Sequence, residues 1–402
     1  MFEILRTVKF SENIDGKKVN IAVRFTNYTE KVFLFDLDLI KLVNSKGDIP
    51  EELKGKAKKV KRYEIFFKKS IHDKIKQGKI ITPDYTAFRK FSAKVLSQSI
   101  YTILKDVHTK ILKDTDLKTV NISVINRYLD GNLACHVYSK STPQNIEIEM
   151  SGSALAGRIY FPWLYSHRAD ISFLEKTLVH ELEHHIEHLR GLYQREEEGQ
   201  KKISALVDKG SISPVLPVIY ERFCNLYTEG IAMFIEKKKS ATVLHDSSVN
   251  KKLVQSLEKM SLAESKKEAD DIYLAEFCPD SETGEYYMGY MMCYFIGLSI
   301  AKKNGKDTIK TGKKSSIALT ALKDYLAQSQ KVLLDQLDEK TYNETYSILS
   351  RMNHYTEFLN AYYAACRELG IDCSLMDPAF YKSIIINAKA KKIVALKNIA
   401  ES

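Results

Sequence analysis

The chain is poor in the residues that break or cross-link a fold: 8 prolines, 17 glycines and 6 cysteines in 402 residues, with a single tryptophan. So little proline and glycine beside 44% apolar residues excludes a largely disordered chain, and the length suffices for one large core or two moderate ones. The cysteines (Cys135, Cys224, Cys278, Cys293, Cys366 and Cys373) are scattered, with no C-x-x-C pair, and read as free thiols of a reducing cytoplasm. Long apolar runs are missing too. The longest uncharged stretch, Tyr286–Ala301, is short for a bilayer core of ~30 Å and carries several tyrosines, so it reads as a buried helix rather than a membrane span. MFEILRTVKF lacks the apolar centre of a secretion signal, and a cytoplasmic protein is the expectation. Acidic residues are outnumbered, 51 to 61, for a net charge of +10. The lysine clusters at 54–61, 237–239 and 302–314 are poor in arginine and have no interleaved aromatics, which points to a solvated surface and away from nucleic acid. Such charge also favours acidic peptide substrates by steering.

Against this background residues 177–190, TLVHELEHHIEHLR, stand out: four histidines and three glutamates fall within positions 180–188. On a helix, residues four apart share a face, so His180 and His184 can present two imidazoles to one ion. Glu181 falls on the neighbouring flank, within reach of a water at that ion without being a ligand; this is the mechanical content of H-E-x-x-H. His184 and His188 form a rival pair at the same spacing, but His185 stands where the carboxylate is needed, which favours the first register. Ser172 is placed as an N-cap with Glu175 three residues on, and Phe173, Leu174, Leu178, Leu182 and Ile186 recur at helical intervals.

A third ligand is expected from PVIYERFCNLYTEGIAMFIE, 217–236, an apolar helical pattern in which Glu229 is the only charge between 223 and 235. A buried carboxylate needs a cation, either a metal or a partner such as Arg222. Two neutral histidines and one carboxylate, with a water in the fourth position, make an open catalytic zinc site. Gly230 beside it permits close approach of a neighbouring helix.

H-E-L-E-H followed 45 residues later by Glu-Gly-Ile-Ala (229–232) resembles the gluzincin group of zinc metallopeptidases, whose third ligand is a glutamate on a separate helix. EYYMGYMMCYFIG, 285–297, is similar to the Tyr-x-x-Gly-Tyr helix that several members carry further on. The resemblance spans about residues 145–305. It implies one zinc ion held by His180, His184 and Glu229, with Glu181 as general base for a zinc-activated water. It also implies that a phenol, Tyr286 ahead of Tyr290, donates to the oxyanion; the alternative for both tyrosines is ordinary core packing.

Upstream, 120–129, 132–139, 145–150 and 157–163 are short β-branched and aromatic runs between turn signals and read as strands, after a helical pattern at 85–113. Helix, small sheet and then the HELEH helix is the order that the resemblance implies for the upper half of a zincin, with 157–163 as the edge that receives an extended peptide. Residues 2–10, 18–28 and 31–43 alternate as three strands, 51–79 is a basic linker or surface helix, and from 314 onward the pattern is helical. The expected class is α+β: a β-rich module at 1–80, then a zincin-like domain at 81–402 with an upper part, 81–190, and a helical lower part, 191–402. The function expected is hydrolysis of a peptide or protein substrate. The alternative is an inactive zincin-like shell that binds partners through its β module and basic face. A di-iron carboxylate protein is set aside, because no second Glu-x-x-His pair accompanies Glu181 and His184.

Overall fold

Val19, Ile21, Val23 and Phe25 alternate with Asn20, Ala22 and Arg24, the pattern of a strand with its larger apolar side chains on one face, and all four are buried. The computed structural model describes residues 4–26, 29, 85–125, 133–160, 163–164, 171–276, 284–312 and 315–371. In it β1 (Ile4–Ile14) and β2 (Lys17–Thr26) form an antiparallel hairpin. Its two-residue loop, Asp15 and Gly16, has φ of 49° and 81°; a tight hairpin whose loop residues are both left-handed matches the twist of its strands. With β3 (Thr119–Ile125), β4 (Ala134–His136) and β5 (Asn145–Ser151) the hairpin makes one five-stranded sheet in the order β1-β2-β3-β5-β4. The three inner strands are parallel and the two edges antiparallel to their neighbours. Residues 4–26 therefore continue the sheet that leads to the histidine-rich helix, where the sequence suggests a separate module. The expected strand at 31–43 and the basic segment at 51–79 lie outside the described residues.

The helical pattern at 85–113 is two helices, α1 (Tyr85–Asp106) and α2 (Thr109–Asp114). The break falls at His108, whose φ of −106° and ψ of 40° leave the helical region. The strand expected at 157–163 is a correction. Gly152–Ala154 and Leu155–Tyr160 form consecutive helical turns, the second with the wider π spacing. A short apolar run does not distinguish a strand from a buried helical turn; here coiling buries Leu155, Ala156, Ile159 and Tyr160 together, with the Tyr160 ring edge-on to Phe88 at 5.2 Å. The exposed sheet edge on this side is β4. The metal-motif helix, α3, runs Ile171–Leu189, so Ser172 sits inside its first turn rather than ahead of it.

The chain forms two compact units, Met1–Leu189 and Arg190–Ser402. The second is mainly helical: α4 (Leu192–Asp208), α5 (Leu216–Glu236), α6 (Ser247–Leu262), α7 (Lys266–Glu276), α8 (Glu285–Lys303), α9 (Leu322–Ala327), α10 (Glu339–Leu349) and α11 (Tyr355–Leu369). Two small antiparallel pairs join them, β6 (Thr242–Asp246) with β9 (Lys331–Asp335) and β7 (Thr308–Lys310) with β8 (Ser316–Ala318). The helical reading of Val332 and Leu333 is thereby corrected: Val332 and Leu334 are buried and Leu333 between them is exposed, an alternation of period two. At the centre α5 crosses α8 with Gly230 against Gly289. A Cβ on Gly230 would lie 2.7 Å from the Gly289 carbonyl carbon, and one on Gly289 would lie 2.3 Å from the Leu226 oxygen. Close approach is thus what Gly230 supplies, and its counterpart is a second glycine.

Candidate functional site

Helix α3 carries its polar residues inward. Glu183, His185 and Glu187 are fully buried, and His180, Glu181 and His184 nearly so. Buried ionisable groups persist only where other polar groups or ions meet them. His184 Nδ1 lies 2.9 Å from Glu187 Oε2. A carboxylate only accepts, so His184 donates there and its Nε2 keeps a lone pair, the outer-partner arrangement usual for a metal-binding histidine. That Nε2 faces His180 Nε2 at 3.1 Å. Two nitrogens bound at 2.0–2.1 Å to a tetrahedral zinc stand about 3.3 Å apart, so the donor pair fits such an ion.

Glu181 points to the sheet edge, where its Oε2 accepts the backbone N–H of His136 at 2.7 Å. The geometry follows from the strand. Val137 donates to Glu147 and Leu133 accepts from Ser151 on the β5 side, so the alternating backbone groups of His136 face outward along the free edge of β4. The carboxylate beside the His180–His184 pair therefore lies against the outward-facing backbone of β4, one of the two edge strands of the sheet.

His136 brings a second group into view. Its Nε2 is 3.3 Å from His185 Nδ1, and His136, His185 and His188 offer ring nitrogens all within 4.8 Å of one another. Burial holds His136 down to about 2, helped by the neighbouring His185, His184 and His188 rings, and holds His185 down to about 3, helped by His188 and His108. His188, half-buried, is lowered for the same reason. These rings are neutral near pH 7. The rival pair foreseen for His188 was His184; the structure joins it to His185, three residues back, and to a strand. Behind α3, His108 Nε2 lies 2.9 Å from the Val179 carbonyl and must donate to it, and burial lowers this histidine to about 4.

In the second unit Glu229 is half-buried on α5. Its effect is felt by Glu285 at the start of α8, whose carboxyl is pushed up chiefly by burial and then by the neighbouring Glu229 charge. Glu285 accepts from Tyr273 at 2.8 Å. Arg222, the cation considered for Glu229, pairs with Asp270 at 3.1 Å. Tyr286 is half-buried in the first turn of α8. Tyr290 is buried, and its hydroxyl takes a hydrogen bond from Gln336 at 3.1 Å. Tyr287 donates to the Leu244 carbonyl at 2.9 Å and accepts from the Asp246 N–H.

His136, Glu187 and Glu285 are the groups the sequence reading does not reach. Glu187 had a local signal, its place three residues after His184 on the same face. His136 and Glu285 join their partners from distant segments.

Among the described residues no helix is long and apolar enough to cross a membrane. Comparison of the chain with protein-family models, with characterised proteins and with solved structures finds no match.

Proposed function

We propose that this chain is a zinc-dependent metallopeptidase of zincin type, holding one catalytic ion through His180, His184 and Glu229. The observation that carries the reading is the pair of Nε2 atoms 3.1 Å apart, one of them fixed from behind by Glu187, with Glu181 directed at the free edge of β4. The order α1, sheet, α3 in the first unit supports the zincin assignment. Glu229, beside a second carboxylate on α8, is the acidic ligand that the H-E-x-x-H and Glu-Gly-x-Ala resemblance assigns.

When bound, zinc would polarise the scissile carbonyl and lower the pKa of a water, supplying a nucleophile near neutral pH. The remaining work belongs to the chain. An extended peptide adds along β4 through its main-chain groups. Glu181 exchanges the His136 N–H for the attacking water, takes its proton and passes it to the leaving amine. Tyr286 donates to the developing oxyanion. Substrates are peptides or proteins, and the net positive charge favours acidic ones.

The deciding experiment pairs metal analysis with a peptide-library cleavage profile on the purified chain, for wild type and Glu181→Gln. The variant keeps shape and metal, so zinc content should hold while cleavage falls roughly 10²–10⁴-fold, the usual share of a general base. Cleavage at the wild-type rate would remove Glu181 from the mechanism. A zinc-loaded wild type without any hydrolysis would favour the non-enzymatic shell.

A further inference from the structure

Among the described residues, a second group of metal-binding side chains outside the His180–His184 pair is His136, His185 and His188. We propose that these three histidines form a second transition-metal site, taking a divalent ion of the zinc type through three neutral imidazoles with a fourth position open to solvent or a small ligand.

The geometry is that of rings arranged about a common point. His136 and His185 ring centroids are 5.3 Å apart, His136 and His188 5.8 Å, and His185 and His188 6.0 Å, a nearly equilateral triangle. Imidazoles bound at 2.0–2.1 Å around a tetrahedral ion place their centroids about 5 Å apart, so a shift of a few tenths of an ångström to about an ångström closes the site. The 3.3 Å between His136 Nε2 and His185 Nδ1 already matches two ligands of one ion.

The alternative is a metal-free, hydrogen-bonded cluster, and the burial argues against it. His185 is fully buried, and its Nε2 has no hydrogen-bond partner among the described residues, so protein groups alone leave this ring half satisfied. Coordination through Nδ1 leaves that Nε2 as it is, but it replaces a long hydrogen bond shared between two neutral rings by a metal bond, the stronger compensation for burying the ring. The donor chemistry is selective. Three imidazoles with no thiolate and no carboxylate suit Zn²⁺, Cu²⁺ or Ni²⁺ and not Mg²⁺ or Ca²⁺, which take oxygen. Three histidines with one open position form a site able to bind water or an anion.

The site also has a place in the fold. His136 ends the edge strand β4, whereas His185 and His188 lie on α3, so an ion would tie strand to helix. The His136 backbone N–H is also the donor held by Glu181. The ion would therefore fix the strand end that Glu181 grips, without touching His180 or His184.

The test uses the full chain, stripped with a chelator and titrated with Co²⁺, whose visible absorption reports four-coordinate binding. His180→Ala/His184→Ala should retain one equivalent with that absorption, and adding His188→Ala should weaken it by ~100-fold or more, beyond the 10–100-fold of losing an outer partner. His188→Ala alone should keep the ion at His180–His184. Absence of binding by the folded double variant, or binding that survives removal of His188, overturns the second site. Should wild type bind one equivalent that His188→Ala abolishes and His184→Ala spares, the second site stands and the proposed catalytic ion falls. A readout free of variants is histidine carbethoxylation of the wild-type chain mapped by mass: stoichiometric Zn²⁺ should shield the half-buried His188, and full reactivity with zinc present would refute its ligation.

Discussion

Helices α3 and α8 are each 19 residues long and buried over most of their length, yet they bury opposite chemistry. Of the eleven buried residues of α3, six are histidine or glutamate; the buried run of α8, Met288 to Ala301, contains no charged residue. Apolar burial stabilises without regard to direction, roughly in proportion to area. Imidazoles and carboxylates gain from burial only where their partners are placed to within a few tenths of an ångström. A helix whose interior positions carry such groups depends on placed partners, whereas one filled with Met, Tyr and Phe depends on packing. Changes in α8 should thus be read in stability, and changes in α3 in metal content, activity and pH response.

The largest expected effect tests the packing side. Gly289→Ala places a methyl group 2.3 Å from the Leu226 oxygen and 2.7 Å from Gly230 Cα, backbone atoms that cannot rotate away. The second unit should lose about 3 kcal/mol or more in urea unfolding. An unchanged unfolding midpoint would mean that the two helices do not cross so closely.

Acid should then separate the units. His108 sits at about 4 when folded against a usual 6.5, so between those values the unfolded chain binds more protons than the folded one. Stability is full above pH 6.5 and declines as the pH falls toward 4, by on the order of 3 kcal/mol for this group alone. His136 and His185 act in the same direction in the metal-free first unit, while in the second unit only His245 is so deeply lowered, also to about 4. Trp163, stacked on Phe91 at 4.2 Å, is the only tryptophan of the chain and reports on the first unit. Its fluorescence should change at a higher pH than far-ultraviolet ellipticity, which is dominated by the helical second unit; coincident transitions would remove the contrast.

Next in size is the third ligand. Glu229→Gln replaces an anionic donor by an amide oxygen and should weaken zinc binding at His180–His184 by an order of magnitude or more, measured by competition with a chromogenic chelator. Unchanged affinity would move the ligand, with Glu285 the neighbouring candidate. Last, in activity and not in metal affinity, is Tyr286→Phe, which should cost about 10²-fold in peptide cleavage while leaving KM and metal content near wild type, because one oxyanion donor is lost. No loss would return Tyr286 to packing.

What the sequence discloses about these helices follows from the range of each interaction. α3, α5 and α8 were legible because helical periodicity is local, and so was the spacing of His180, Glu181 and His184. The role of Gly230 was legible as well, since a glycine amid apolar helix residues has few other uses. Its partner Gly289, 59 residues on, was not. The strand expected at 157–163 fails at 157–160 because Ile159 and Tyr160 suit a strand and a buried helical turn alike, and the Phe88 side chain from another element favours the turn. His136 could be read as an inward strand residue, but its meeting with His185, 49 positions away, is created by the register of β4 on β5.

The sheet carries one more consequence, for the chain as it is being made. β2 exposes Val19, Ile21, Val23 and Phe25 to a core completed by β3, and their backbones pair in parallel from Asn20 with Thr119 to Phe25 with Val124. At ~5–20 residues per second, synthesis reaches β3 roughly 5–20 s after β2. For that interval the hairpin has an apolar face and an unpaired inner edge, the two features that make nascent strands adhere to one another. Among the described residues, 19–25 is therefore the first segment to offer a chaperone an apolar strand, well before α3 and its histidines exist.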